Sequence, residues 1–173
     1  MSDACLAKLY KDTQGAVDEL RNNQKVDIVI VLAHAGTDPS TPANGESYKL
    51  AQNVTGIDLI LSGHTHLLVP RQTAMNIKTG NQVIITEPGA YGENVTKITL
   101  TIDKSSKVLY GGTDVIPINN TIAADPAMQR VVDSAIKYLE TVEDVPGKNS
   151  FLKRSISEIL GQPVIYNGTL GSL

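Results

Sequence analysis

The chain has only three histidines, His34, His64 and His66, and they fall in two short segments that each follow an apolar run. The first segment reads Val29-Ile30-Val31-Leu32-Ala33-His34-Ala35-Gly36, and the second Ile57-Asp58-Leu59-Ile60-Leu61-Ser62-Gly63-His64-Thr65-His66. Each has the pattern of a buried strand that ends in imidazole and glycine. Open α/β sheets carry their chemistry just beyond the carboxyl ends of the strands. Two such loops side by side would gather neutral nitrogen ligands of the kind that bind zinc and other transition metals. In an extended stretch His64 and His66 would point to one side and Thr65 to the other. Two imidazoles at that spacing can each address one of two adjacent metals, or share one. Gly63 is expected to allow a sharp turn where a Cβ would be strained. A lone histidine at a strand end is ordinarily structural or solvated. Gly-His-Thr-His after a buried strand, joined by another strand-end histidine, argues for a site.

The elements that position these residues follow from periodicity. A helix is expected over Asp12 to Asn22, with Asp12 as N-cap. Val26 to Leu32 is apolar on both faces, as in a strand buried on both sides. A Gly-, Pro-, Ser- and Thr-rich loop, a short helix over Glu46 to Asn53, and a second strand over Ile57 to Leu61 come next. Thr73 to Ile77 and Gln82 to Thr86 flank Lys78-Thr79-Gly80-Asn81, a hairpin turn. Pro88 to Gly92 is a tight loop, Val95 to Ile102 alternates in polarity, Asp103 to Ser106 is a turn, and Lys107 to Ile118 returns as a strand. Asp125-Pro126 opens a helix to about Val142, with Asp at the N-cap and Pro at N1. These elements predict an α/β fold with mixed β-sheets flanked by helices. Asp58 falls at a strand start or edge. Asp38 and Asn44 lie close to substrate or are simply solvated, and Tyr91 lines a cleft or packs in its turn. Asn53, Asn94, Asn119 and Asn167 head glycosylation sequons that matter only in a eukaryotic secretory setting.

Length and charge narrow the classes. A chain of 173 residues is one domain or part of a larger one, and 41% apolar residues suffice for a core. A net charge of −3 without a basic block gives nucleic-acid binding no support. No run of 18 apolar residues provides a membrane span, and the N-terminus lacks the charged-then-apolar pattern of a signal peptide. The single Cys5 cannot form an internal disulfide and has no catalytic motif around it.

Val26 to Gly36, Gly56 to His66, and Glu87-Pro88-Gly89-Ala90-Tyr91-Gly92 resemble the second half of a calcineurin-like metallophosphoesterase. Within that family the chain is most similar to the 5′-nucleotidase and 2′,3′-cyclic nucleotide phosphodiesterase branch. The resemblance spans about Tyr10 to Leu160. It implies that His34 and His64 bind one divalent metal and His66 a second, with zinc, manganese or a similar ion at each. It implies a nucleotide substrate and a secreted, periplasmic or cell-surface parent protein. The family's first half carries Asp-x-His, Gly-Asp and Gly-Asn-His-Asp/Glu motifs, and none occurs here. Residues 1–145 are therefore read as the C-terminal half of the catalytic domain. Residues 146–173 are read as a linker and the start of a missing nucleotide-binding domain. Three imidazoles cannot fill two coordination spheres, so weak or partial metal binding is expected of this chain alone. Without the N-terminal half-domain the strand Val26 to Leu32 should leave an exposed edge, open to that half-domain, to another copy or to another partner. The competing reading is a non-catalytic interaction module whose histidines are vestigial or hold a single zinc.

Overall fold

The computed structural model describes residues 3–103 and 108–141. In chain order the elements are helix α1 (Asp3–Asp18), strand β1 (Ile30–Ala33), helix α2 (Glu46–Asn53), strands β2 (Leu59–Ser62), β3 (Leu68–Met75), β4 (Gln82–Pro88), β5 (Asn94–Ile102) and β6 (Val108–Pro117), and helix α3 (Pro126–Thr141). Contacts divide the chain into two units, Met1–Ile118 and Asn119–Leu173.

In the first unit, β1, β2, β4 and β3 form one sheet in that order. β1 pairs with β2 in parallel, from Ile30↔Leu59 to Ala33↔Ser62. β2 pairs with β4 in parallel, Leu59↔Ile84 through Leu61↔Thr86. β3 returns antiparallel to β4. The mixed α/β architecture expected from the sequence is the one observed. β2 and β4 are apolar on both faces because both faces are covered, and Ile60 and Ile85 are fully buried. Val17 of α1 joins Leu50 and Ala51 of α2, Val54, Ile60, Val83 and Ile85 in one core cluster. β5 and β6 pair as a separate antiparallel ribbon.

Several boundaries differ from expectation. β3 runs Leu68–Met75, starting five residues before the expected Thr73, and the starts of α1 and β1 shift as well. α1 begins at Asp3, not at Asp12, and Asp12 pairs with Lys8 one turn earlier on the helix surface. The helix ends in a wider π-helical turn over Glu19–Asn23. β1 starts at Ile30; the residues before it are held largely by side chains, while the Val29 carbonyl already accepts the Asp58 N–H at 3.0 Å. Val29 donates its N–H to the Asp58 carboxylate at 2.7 Å, and Arg21 donates to the carbonyls of Val26 and Asp27 at 3.2 and 2.7 Å. Asp58 also pairs with Arg21, so the strand-start position expected for it has a definite task.

β1 is an edge strand, with Ile30 and Leu32 exposed at 49% and 79%. The hairpin falls where Lys78 to Asn81 announces it. Buried Asn76 donates to the carbonyls of Ala51 and Val54, tying that turn to the end of α2. In the second unit Asp125 caps α3, accepting the N–H groups of Ala127 and Met128 at 2.9 and 2.8 Å. The expected turn over Asp103 to Ser106 lies mostly outside the described residues. The expected boundary near 145 and the linker beyond it lie wholly outside them.

Candidate metal centre

Parallel pairing of β1 with β2 brings their carboxyl ends level, since Ala33 is opposite Ser62. The next residues are locked together by backbone. Gly63 donates to Ala33 at 3.0 Å and Gly36 donates to Gly63 at 2.7 Å. His34 and His64 therefore emerge side by side. His34 Nε2 and His64 Nδ1 are 3.2 Å apart, and the rings meet edge to face with centroids 5.0 Å apart at 72°. Two nitrogens sharing one tetrahedral zinc, with bonds near 2.0–2.1 Å, must lie about 3.3 Å apart. The observed pair fits that requirement. His66 is placed differently. Its ring packs edge-on against Tyr91, with centroids 5.2 Å apart at 68°. No group of three or more histidine, cysteine, aspartate or glutamate side chains gathers around one metal position among the described residues.

The loop after β2 is not extended, so the expected alternation of side chains does not apply. His64 has φ 102° and His66 has φ 60°, both in left-handed backbone that non-glycine residues seldom adopt. Tyr91, the ring partner of His66, has φ 56°. Gly63, expected to relieve strain, has ordinary room, with His34 Nδ1 3.5 Å from where a Cβ would sit. The residue that needs to be glycine is Gly36. It has φ 75°, and a Cβ there would lie 2.7 Å from Thr65 Cγ2.

One important residue figures in the sequence reading only as part of a motif, with no role of its own. Glu87 lies in β4 and is fully buried. Its Oε2 accepts the hydroxyl of Thr37 at 2.6 Å and that of Thr65 at 2.7 Å. The Thr37 N–H donates to Thr65 Oγ1 at 3.3 Å. The available signal was a glutamate closing the apolar run Val83 to Ile85, where burial forces a charged group to find partners. Behind this layer the Ser47 and Ser62 hydroxyls meet at 2.8 Å, fastening α2 to the end of β2. Asp38 folds its own loop, accepting the N–H groups of Ser40 and Thr41 and an amide proton of Asn44.

The family model for calcineurin-like phosphoesterases matches residues 4–68. The trifunctional nucleotide phosphoesterase protein YfkN of Bacillus subtilis (strain 168) is 26% identical over 78% of this chain and 9% of its own length. The 2′,3′-cyclic-nucleotide 2′-phosphodiesterase/3′-nucleotidase of Salmonella typhimurium is 30% identical over 52% of this chain and 15% of its own. The chain thus spans a small part of the relatives it matches. The crystal structure of a 5′-nucleotidase precursor from Thermus thermophilus has the same fold over 76% of this chain and 28% of its own, with a TM-score of 0.59 and 20% identity. By family model over residues 4–68 and by relatives, the chain is similar to calcineurin-like phosphoesterases, among them nucleotide phosphoesterases, and its fold is similar to that of a 5′-nucleotidase precursor.

Proposed function

We propose that this chain is the downstream, histidine-bearing portion of the catalytic domain of a dimetal phosphohydrolase that cleaves phosphate esters of nucleotides. The observation that carries the reading is the His34–His64 pair, 3.2 Å apart at the ends of two parallel strands. In this reading His34 and His64 hold one divalent ion and His66, steadied by Tyr91, contributes to a second. Such ions, when bound, supply Lewis acidity to the phosphate and an activated water. The side chains themselves hold neutral nitrogen at fixed positions, on loops tied by the Gly63–Ala33 and Gly36–Gly63 hydrogen bonds.

Residues 1–145 are the C-terminal half of the catalytic domain and 146–173 lead into the next domain. The remaining metal ligands and the nucleoside pocket belong to parts of the parent protein that this chain does not contain. The partner of the exposed β1 edge is that missing half-domain, or a second copy when the half-domain is absent. The parent protein acts outside the cytoplasm, at the cell surface, in the periplasm or as a secreted enzyme. Among the described residues, no helix is long and apolar enough to cross a membrane.

The test is a calorimetric titration of the chain with zinc and with manganese, beside His34→Ala and His64→Ala. Weak binding that either substitution abolishes is expected. Equal binding by all three proteins would sink the assignment. Hydrolysis of a 2′,3′-cyclic nucleotide by the chain alone should remain far below the roughly 1–10³ s⁻¹ of ordinary enzymes.

A further inference from the structure

The reading above uses three histidines and leaves Glu87 without a role. A fully buried carboxylate inside an apolar sheet is costly, and an apolar residue of similar volume would often serve stability as well or better. What Glu87 touches is specific. Thr37 follows His34 by three residues, and Thr65 stands between His64 and His66. Both hydroxyls end on the same oxygen, Oε2, while Oε1 is buried with no hydrogen-bond partner among the described residues. The two threonines are bonded to each other as well, through the Thr37 N–H and Thr65 Oγ1. One carboxylate oxygen is thus the common anchor of the two loops that carry all the histidines. It lies in β4, the strand on the far side of β2 from β1.

We infer that Glu87 is a positioning residue that clamps the two histidine loops through Thr37 and Thr65. The clamp sets the separation of His34 from His64 and holds His64 and His66 in their left-handed backbone. The inference rests on the proposed metal site for its functional meaning. Its structural content is independent of metal. The clamp works through an accepting oxygen, so an amide at position 87 can still receive both hydroxyl protons. A methyl at position 87, or a valine at position 65, cannot complete it. Groups that orient ligands without touching the ion commonly change metal affinity by 10–100-fold when removed.

The test uses the full chain with zinc alone as probe, in Thr65→Val, Thr65→Ser, Glu87→Gln and Glu87→Ala. Two quantities are read, zinc affinity by calorimetry and amide exchange by NMR across residues 34–37 and 63–67. Thr65→Val and Glu87→Ala should lose about 10-fold or more in affinity and exchange faster in those two loops, with Ile60 and Ile85 still protected. Thr65→Ser and Glu87→Gln should stay within about threefold of the parent affinity. Unchanged affinity together with unchanged loop exchange in Thr65→Val overturns the clamp. If Glu87→Ala does not fold, the Thr65 pair decides alone. Failure of the parent chain to take zinc would remove the metal reading of the histidines. Loop exchange would then decide the clamp, which is overturned if Thr65→Val leaves it unaltered.

Discussion

At the scale of single residues, the site depends on backbone handedness. His64 and His66 adopt positive φ without being glycine, at a cost of order 1–3 kcal/mol each that surrounding contacts offset. Gly36 carries the opposite demand, since only the absence of a Cβ lets it approach Thr65. Gly36→Ala is therefore expected to destabilise the chain by about 2 kcal/mol or more, measured by urea unfolding. It should also weaken zinc binding, because Gly36 N–H holds the carbonyl next to His64. The proposed ligands stood out in the sequence because histidine is rare here, and the structure brings two of them, His34 and His64, together. The handedness was not, because nothing in Gly-His-Thr-His specifies φ. Glu87 was seen only as the head of a motif, and its contacts were not legible because its partners, Thr37 and Thr65, lie 50 and 22 residues away in the chain.

At the scale of elements, β2 was readable because burial on both faces leaves an apolar run, and β4 because the turn Lys78 to Asn81 marks its start. Glu46 to Asn53 was readable as a helix with its observed ends. The start of β1 was not, because Val26 to Val29 continues the mostly apolar run of the strand yet is held mainly by Arg21 and Asp58. That arrangement makes a prediction. Asp58→Ala removes the ion partner of Arg21 and the acceptor of Val29 N–H together. Both side chains are partly exposed, which screens the charge, so a loss of about 1–3 kcal/mol is expected from guanidinium unfolding. Asp58→Asn keeps an acceptor oxygen and should lose less. Ile60→Ala, a fully buried change in the centre of β2, should cost about 2–5 kcal/mol in the same assay.

At the scale of the whole molecule, β1 sits at an edge of the four-stranded sheet with Leu32 79% exposed. A short apolar edge strand is a template for pairing. Light scattering over a concentration range should show self-association of the isolated chain. Leu32→Lys should reduce it without loss of the folded core, and a monomer at every concentration would count against the exposed edge as an interface. The order of strands also has a kinetic consequence. The hairpin of β3 and β4 closes locally, with Met75 opposite Gln82. The β1–β2 pairing joins Ile30 to Leu59, across an intervening helix and loop. Local closures precede distant ones in folding, because the entropy of a long loop is lost before its contacts are gained. The imidazole pair is therefore assembled late. A chain refolding from denaturant should recover its hairpin first and the juxtaposition of His34 with His64 last, which stopped-flow fluorescence or pulsed amide exchange would order.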